Sequence, residues 1–398
     1  MTDLLPTGEA FVVAMASKLH VHPIINDGFR VGRHLGRLLG AELMPDTKVA
    51  FSLDDEGWVC VWSLADNTIQ IRFKAFPDGC AAKRLTAYTL GCQGKQLIAA
   101  TDTGLVTFWN VHLSQNKRTF STNLKTDIGF LCDFRSDSDE FVSVATHRSL
   151  RLWRTDRFTS RLLAMPEFAF EASDDITSVA FASKWKTLAV TSVDGQVYLC
   201  SSRNGAIEHV LRSSLPDYPH LMRDAPLVGI WLPCKNMYLT LCSDGRIRIW
   251  SVRDSLLIAS VAANADGAAI TSGMLDVDGH LLVTGDESGM VQIWYVHPMH
   301  DWNLAVPPET WLREQIRWKA HSSAIVSIRS FSKYNQVLTA SADSTLALWT
   351  MTGQSVGYFG RAGSWHRELL DDAVDHGLAL DVETHTDVEV VKPNGAQK

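Results

Sequence analysis

The strongest constraint on the fold is a short segment that recurs along the chain. Seven times, a tight turn leads into an alternating segment that ends at an anchor residue, which is tryptophan in six of the seven cases. The anchors are Trp62, Trp109, Trp153, Cys200, Trp250, Trp294 and Trp349, and successive anchors lie 44 to 55 residues apart. A period of this length indicates a repeat architecture in which each unit is one supersecondary motif.

A second spacing is more regular than the period itself. An apolar residue opens each unit and precedes its anchor by 23 to 25 residues. These openings are Leu39, Leu85, Ile128, Ile176, Leu227, Ile270 and Ile325. Between opening and anchor, alternating Val, Ile, Leu and Thr with Asp-Gly and Asp-Ser turns predict three strands joined by tight hairpins. Three strands therefore have nearly fixed length, and the rest of each unit, a fourth strand and a connection, varies.

Four antiparallel strands repeated seven times predict a β-propeller. A single four-stranded sheet exposes two apolar faces, and radial packing of sheets around a ring buries both. No helical pattern recurs between units, which excludes a parallel βαβ fold. We therefore predict an all-β, seven-bladed propeller over residues 36–362, with an acidic tail over 363–398.

The first 35 residues resemble part of a further repeat. Residues 11–22 match the second and third strands of the unit that ends at Trp153, and residues 29–34 supply a fourth. The first strand of this partial blade is expected before Met1. Two alternatives follow. In the first, the ring has eight blades and another segment, such as the alternating residues 381–391, supplies the missing strand. In the second, residues 1–35 are a partial blade of a preceding propeller.

Charge and composition exclude several classes of partner. The net charge is −7, and residues 366–398 carry eight acidic and three basic residues, so the body is nearly neutral. Nucleic-acid binding requires a basic surface, so we expect no such partner. No apolar segment is long enough to span a membrane, and the seven cysteines are never spaced as C-x-x-C. These features predict a cytoplasmic protein with no membrane partner.

Two long connections are candidates for partner binding, because loops on a rigid scaffold commonly carry recognition. The first contains Tyr218 and His220. The second contains Trp302, Trp311 and Trp318, and its Pro307-Pro308 start and apolar spacing favour a short helix over residues 307–318. The alternative for these tryptophans is that they cover the flank of the propeller.

Several short motifs resemble chemical sites but lack the required context. Residues 353–357 match G-x-S-x-G, yet they follow a strand and lead into another, whereas a nucleophile elbow requires a strand, a turn and a helix. Residues 276–287 resemble a calcium loop without its glycine, and we interpret them as a hairpin. Residues 91–95 lack the spacing of a phosphate loop. The histidine pairs His20 with His22 and His297 with His300 lack a third ligand at recognisable spacing. We expect no metal site, cofactor or small-molecule substrate.

The last repeat resembles the WD-repeat family most clearly, through His321, Ser341, Asp343 and Trp349. In that family these four side chains form a hydrogen-bonded structural tetrad, which the resemblance implies here. Asp194 and Asp244 also precede their anchors by six residues, but without a histidine equivalent to His321.

The family resemblance implies a non-catalytic scaffold that binds other proteins. Residues 308–360 resemble the terminal repeat of WD-repeat proteins from motile cilia and flagella, some of which combine EF-hands with tandem propellers. This resemblance implies an axonemal or microtubule-associated partner and a location in the cilium. The alternatives are a general cytosolic adaptor, such as a substrate receptor of a ubiquitin ligase, and an enzyme using the central channel. The enzyme is disfavoured because the predicted first strands carry no repeated ionisable position.

Overall fold

The structure, a computed structural model, describes most of the repeat region and parts of the N-terminus. The described residues are 2–4, 10–15, 18–23, 34, 36–44, 48–76, 80–91, 96–111, 115–121, 128–133, 140–145, 148–154, 168–182, 186–202, 204–211, 225–232, 237–276, 278–297, 311–331, 334–361, 365–366 and 369.

The described residues form seven four-stranded antiparallel sheets, numbered here as blades in chain order. Blade 1 comprises β4 (Leu38–Met44), β5 (Val49–Asp54), β6 (Trp58–Ser63) and β7 (Ile69–Lys74). Blade 2 comprises β8 (Leu85–Gly91), β9 (Gln96–Thr101), β10 (Leu105–Asn110) and β11 (Gln115–Ser121). Blade 3 comprises β12 (Ile128–Asp133), β13 (Glu140–Ala145), β14 (Ser149–Arg154) and β15 (Phe168–Glu171).

The remaining four blades repeat the same strand order. Blade 4 comprises β16 (Ile176–Ala182), β17 (Thr187–Ser192), β18 (Val197–Ser201) and β19 (Ile207–Leu211). Blade 5 comprises β20 (Pro226–Leu232), β21 (Met237–Cys242), β22 (Arg246–Ser251) and β23 (Leu256–Ala262). Blade 6 comprises β24 (Ile270–Leu275), β25 (Leu281–Asp286), β26 (Met290–Val296) and β27 (Leu312–Lys319). Blade 7 comprises β28 (Ile325–Phe331), β29 (Gln336–Ser341), β30 (Leu346–Thr350) and β31 (Ser355–Tyr358).

The predicted class, an all-β propeller of four-stranded antiparallel blades, is confirmed. First strands of successive blades contact one another, and β28 of blade 7 contacts β4 of blade 1. Hydrophobic clusters fill the spaces between blades; one joins Leu38 and Trp62 of blade 1 to Leu348 and Val356 of blade 7. Every residue of β5, β9, β17, β21, β25 and β29 is buried. These second strands are packed on both faces, which explains their nearly continuous apolar sequences.

An N-terminal sheet of three strands precedes blade 1. Its strands are β1 (Thr2–Leu4), β2 (Ala10–Met15) and β3 (Lys18–Pro23), in the order β1-β2-β3. The expectation that its first strand precedes Met1 was wrong, because Thr2 pairs with Val13 and Leu4 with Phe11. The strand is only three residues long, whereas most first strands of the blades have seven, so it fits within the chain. Most of the predicted fourth strand, residues 29–33, lies outside the described residues.

The short helix expected within residues 307–318 is replaced by a strand where the structure describes that segment. β27 pairs with β26 and completes the outer edge of blade 6, with Lys319 opposite Met290. The four-residue separation of Leu312 and Ile316 fits one helical turn, but it also fits alternate positions of a strand. Pairing with β26 satisfies the backbone hydrogen-bonding groups of this segment, so it forms a strand rather than a helical turn. Among the described residues, no helix is long and apolar enough to cross a bilayer.

Candidate functional site

The anchors lie on the third strand of each blade and are all buried. The relative exposures are 2% for Trp62, 8% for Trp109, 3% for Trp153, 0% for Cys200, 2% for Trp250, 3% for Trp294 and 6% for Trp349. An indole at such a position brings a buried N–H that needs an acceptor. The way each blade supplies that acceptor defines its polar network.

In blade 7 the network passes through a threonine. His321 Nε2 lies 2.7 Å from Thr339 Oγ1, and Trp349 Nε1 donates to the same oxygen at 2.9 Å. His321 Nδ1 lies 2.7 Å from Thr345 Oγ1. The histidine therefore links the turn before β30 to the buried centre of β29, and Thr339 is the shared partner of histidine and anchor.

Asp343 stabilises the turn end of this network. Its carboxylate accepts hydrogen bonds from the Thr345 backbone N–H at 3.0 Å and from the Ser322 hydroxyl at 3.0 Å, and it lies 3.7 Å from His321 Nδ1. Burial alone would raise the pKa of Asp343, but the interactions with His321, Thr345 and Ser322 outweigh it, so the pKa is lowered from its usual 3.8.

Ser341, which the resemblance placed in the tetrad, does not bridge the histidine and the tryptophan. Its hydroxyl donates to the Ser323 carbonyl at 3.2 Å and accepts the Asp343 N–H at 3.2 Å. Ser341 ends β29, two residues beyond Thr339, and alternate positions on that side of the strand bring Thr339 rather than Ser341 beside Trp349. The tetrad is therefore His321, Thr339, Asp343 and Trp349, supplemented by Thr345.

A second complete network, in blade 1, was missed from the sequence. His34 Nε2 lies 2.6 Å from Ser52 Oγ, Trp62 Nε1 donates to that oxygen at 2.9 Å, and His34 Nδ1 lies 2.7 Å from Asp54 Oδ2. The sequence interpretation had given His34 to a fourth strand of the partial blade. A usable signal existed, because Ser52 and Thr339 both precede their anchors by ten residues.

A hydroxyl ten residues before the anchor recurs in two further blades, where no histidine among the described residues bonds to it. Trp250 Nε1 donates to Thr240 Oγ1 and Trp294 Nε1 to Thr284 Oγ1, both at 3.0 Å. In blade 5, Asp244 is paired with the buried Arg248 at 2.6 Å, which supplies a positive group in place of histidine.

Blades 2 and 4 use different partners. Trp109 Nε1 donates at 2.8 Å to the carbonyl of Ala75, in the connection leaving blade 1. In blade 4, where Cys200 replaces tryptophan, the Ser173 hydroxyl bonds Asp194 and lies 2.6 Å from the Tyr198 hydroxyl. The blades thus use different hydrogen-bond partners for the polar groups at the same buried position.

The candidate partner residues do not form a single surface in the part of the chain that the structure describes. Tyr218, His220 and Trp302 lie outside the described residues. Trp311 is 3% exposed and packs in the cluster between blades 5 and 6, so its ring is not offered to a partner. Trp318 is half-buried and packs against Trp349, with ring centroids 6.0 Å apart.

The described residues contain no group of three or more His, Cys, Asp and Glu arranged to hold a metal ion. The serine motif at residues 353–357 comprises the end of the turn after β30 and the first three residues of β31. Asp276 Oδ1 accepts the N–H groups of His280 and Leu281 in a hairpin turn. Burial raises the pKa of the Cys60 and Cys200 thiols to about 12 each, which keeps them protonated and poorly nucleophilic. These two buried thiols therefore contribute to packing and are poorly suited to nucleophilic chemistry.

Comparisons with known proteins agree with this geometry. The family model "WD domain, G-beta repeat" matches residues 313–350, which contain the blade 7 network. A curated relative is the target of rapamycin complex subunit wat1 of Schizosaccharomyces pombe, 22% identical over 252 residues, covering 63% of this chain and 72% of that protein. A chain from the crystal structure of a mitotic checkpoint complex superposes with a TM-score of 0.59 at 17% identity, covering 79% of this chain and 89% of that chain.

Proposed function

Since the chain is a WD40-repeat β-propeller, we propose that it is a non-catalytic scaffold that binds other proteins. The observation that carries the proposal is the division of each repeat into a fixed and a variable part. The buried anchor networks hold the three-strand core, while the connections vary so that anchors lie 44 to 55 residues apart. A rigid ring with independently variable loops can present several binding surfaces at once.

We further propose that the seven four-stranded blades form one closed ring and that residues 1–35 belong to a partial blade of a preceding propeller. Ring closure is supported by contacts between β28 and β4 and by Asn67 of blade 1, whose Nδ2 donates to the Tyr358 carbonyl of blade 7 at 3.0 Å. Because blades 1 and 7 contact each other directly, the three-stranded N-terminal sheet is not needed to close the circle. Residues 36–362 then form the propeller, followed by a C-terminal acidic segment.

For the finer function we propose a structural component of the ciliary or flagellar axoneme, with axonemal or microtubule-associated proteins as partners. The support is the resemblance of residues 308–360 to ciliary WD-repeat proteins. The second candidate is a general cytosolic adaptor, such as a substrate receptor of a ubiquitin ligase. A relative of this chain is a target of rapamycin complex subunit, which supports assembly with other proteins in either case. In neither case do we expect nucleic acid, membrane, cofactor or small-molecule substrate to bind.

Proximity labelling of the full chain in a flagellated cell separates these candidates. The axonemal scaffold predicts labelled structural proteins of the axoneme and a signal that stays with the cytoskeleton after detergent extraction. A signal that washes out while other proteins are still labelled would overturn the axonemal function and support the adaptor. Absence of any enriched protein over the labelling enzyme expressed alone would overturn the scaffold itself.

A further inference from the structure

Among the described residues, no further strand pairs with the outer strands of the seven blades, and these edges differ in how far charged residues protect them. An unpaired edge attracts other strands, and natural proteins discourage this with charged residues or by covering the edge. Five of the seven outer strands carry charged residues within their bounds; these are β7, β11, β15, β19 and β27. β31 is uncharged but covered, because His366 donates its backbone N–H to the Val356 carbonyl at 2.7 Å.

The exception is β23 of blade 5, whose seven residues Leu-Leu-Ile-Ala-Ser-Val-Ala contain neither charge nor proline. It lies at the end of the strand order β20-β21-β22-β23. Leu256 and Ala262, at its two ends, are exposed. A strand of this length and composition is the kind of edge to which another strand adds.

The register shows which backbone groups face the open side. Ala263 N–H donates to the Gly245 carbonyl at 2.9 Å, and Arg248 lies opposite Ser260. Because hydrogen-bonded and non-hydrogen-bonded pairs alternate in an antiparallel ladder, Ser260 and Ala262 direct their N–H and C=O groups away from β22. The Ser260 carbonyl already accepts a hydrogen bond from Arg246, so the Ser260 N–H and the N–H and C=O of Ala262 form the hydrogen-bonding template of the edge.

A positive charge lies beside this template. Arg246 donates from Nε to the Ser260 hydroxyl at 2.8 Å and from Nη2 to the Ser260 carbonyl at 2.9 Å. Among the described residues, no carboxylate forms an ion pair with Arg246. The guanidinium can therefore bind a carboxylate at one end of an otherwise uncharged edge.

The apolar surface continues onto the neighbouring blade. Leu256 is 46% exposed and Ile207, on the outer strand of blade 4, is 50% exposed. The two blades are linked at this point, since Ser255 Oγ lies 3.4 Å from His209 Nδ1. An incoming strand along β23 would thus find an exposed apolar side chain on both blades.

We propose that β23 binds an extended segment of a partner protein by strand addition, with alternating apolar residues and one carboxylate that pairs with Arg246. The uncharged strand fits an apolar segment. The Arg246 guanidinium, which forms no ion pair with a carboxylate among the described residues, favours an acidic segment over a second copy of β23, which carries no carboxylate. An edge of seven residues is also short for stable association of two rigid bodies, which usually bury about 1,200–2,000 Å². This inference rests on the proposed scaffold function and names one of its binding surfaces.

The test uses the purified full chain and a fluorescein-labelled peptide of alternating valine and threonine with one glutamate, followed by fluorescence anisotropy. Ser260→Pro removes an edge N–H that is not in the β22 ladder, so the fold is retained and peptide binding falls by about tenfold or more. The matched control is Arg72→Pro, because Arg72 lies opposite Cys60 on β7 as Ser260 lies opposite Arg248 on β23. This control leaves binding unchanged.

Two further variants keep the result interpretable. Ala262→Glu places a carboxylate opposite Arg246, so it neutralises the guanidinium and weakens binding of the glutamate peptide without altering the backbone of the edge. Arg246→Gln removes the preference for the glutamate peptide over its glutamine counterpart. The proposal is overturned if the wild-type chain does not bind the peptide, if both proline variants bind equally well, or if β23 instead mediates a dimer seen by light scattering. If partners from proximity labelling are still captured by Ser260→Pro, only this surface fails and the scaffold function stands.

Discussion

Arg329 on β28 and Glu42 on β4 form an ion pair that joins the last blade to the first, with Arg329 Nε donating to Glu42 Oε2 at 2.6 Å. The same guanidinium donates to the Ile328 carbonyl at 2.8 Å, and the Tyr88 hydroxyl of blade 2 lies 3.4 Å from Glu42 Oε1. Burial alone would lower the pKa of Arg329, but the Glu42 carboxylate more than offsets this and the pKa is raised. The pair therefore couples blades 7, 1 and 2 at the inner strands.

Glu42→Gln is expected to lower the free energy of unfolding by about 2 kcal/mol, because it leaves the half-buried guanidinium of Arg329 without its counter-charge. Urea denaturation followed by tryptophan fluorescence measures the change. Adding Arg329→Met to Glu42→Gln should restore most of the loss, since the unpaired charge is then gone.

The exposed pair of Arg317 and Glu314 on β27 is the matched control for this ion pair. Both side chains are 37% exposed, so Glu314→Gln should change the free energy of unfolding by less than about 1 kcal/mol. Equal effects of Glu42→Gln and Glu314→Gln would show that the ring-closing pair has no special role.

Thr339→Val should destabilise the protein more than Ser341→Ala. The valine substitution leaves both His321 Nε2 and Trp349 Nε1 buried without their shared partner, which costs about 2–3 kcal/mol. Ser341→Ala removes one donated and one accepted hydrogen bond at the end of the strand, worth about 1 kcal/mol. Chemical denaturation measures the free energy of unfolding of both variants. If Ser341→Ala were the more destabilising of the two, Ser341 rather than Thr339 would belong to the tetrad.

Asp343→Asn should reduce the dependence of stability on acid pH. The pKa of Asp343 is lower in the folded chain than its usual 3.8, so the carboxylate stabilises the fold above that pH and this contribution is lost as pH falls below it. One such group contributes a slope of at most about 1.4 kcal/mol per pH unit. Denaturation midpoints measured from neutral pH to about pH 3 should fall less steeply for the asparagine variant, although it is less stable at neutral pH. Parallel curves would contradict the prediction.

Sequence periodicity was sufficient for the blades because strand alternation and the anchor spacing are both local properties. The openings, such as Ile270 and Ile325, coincide with the first residues of β24 and β28. Local patterns failed where one spacing fits two structures. Leu312 and Ile316 are compatible with a helical turn or a strand, and only the need to pair β26 distinguishes them.

The polar networks were harder to predict because they depend on which side of a strand faces the anchor. Ser341 and Thr339 are both small hydroxyl residues near Trp349, and their roles differ only through strand alternation. His34 was missed because its partners Ser52 and Asp54 lie 18 and 20 residues away, although His34 and His321 both precede their anchors by 28 residues. The position of β23 at the edge of its sheet likewise could be identified only from the strand order.

Gly289→Ala should be far more damaging than Gly195→Ala. Both glycines have positive φ, +89° and +83°, and both lie in the turn before a third strand. A Cβ on Gly289 would lie 2.3 Å from the His321 carbonyl oxygen, whereas nothing lies within 4 Å of one on Gly195. We expect a loss of about 1 kcal/mol for Gly195→Ala from backbone strain alone and more than about 3 kcal/mol for Gly289→Ala. Thermal unfolding of both variants measures these losses of stability, and equal losses would contradict the prediction.

Removal of residues 363–398 should destabilise the propeller, whereas removal of 371–398 should not. Trp365 Nε1 donates to the Leu64 carbonyl of blade 1 at 3.0 Å, and its ring packs edge-on against Phe359, with centroids 5.0 Å apart. Phe359 in turn packs against the anchor Trp62, and Leu369 joins the same cluster. The start of the predicted acidic tail thus bridges blades 7 and 1.

The longer truncation loses an indole hydrogen bond and part of the apolar contact of two side chains, which amounts to about 2–3 kcal/mol. The shorter truncation removes a segment with seven acidic and two basic residues and keeps Trp365 and Leu369. Comparing the urea midpoints of both truncations with Trp365→Ala in the full chain identifies the cause. If Trp365→Ala reproduces most of the loss, the ring closure extends through this tryptophan; if both truncations match the full chain, the contact does not stabilise the ring.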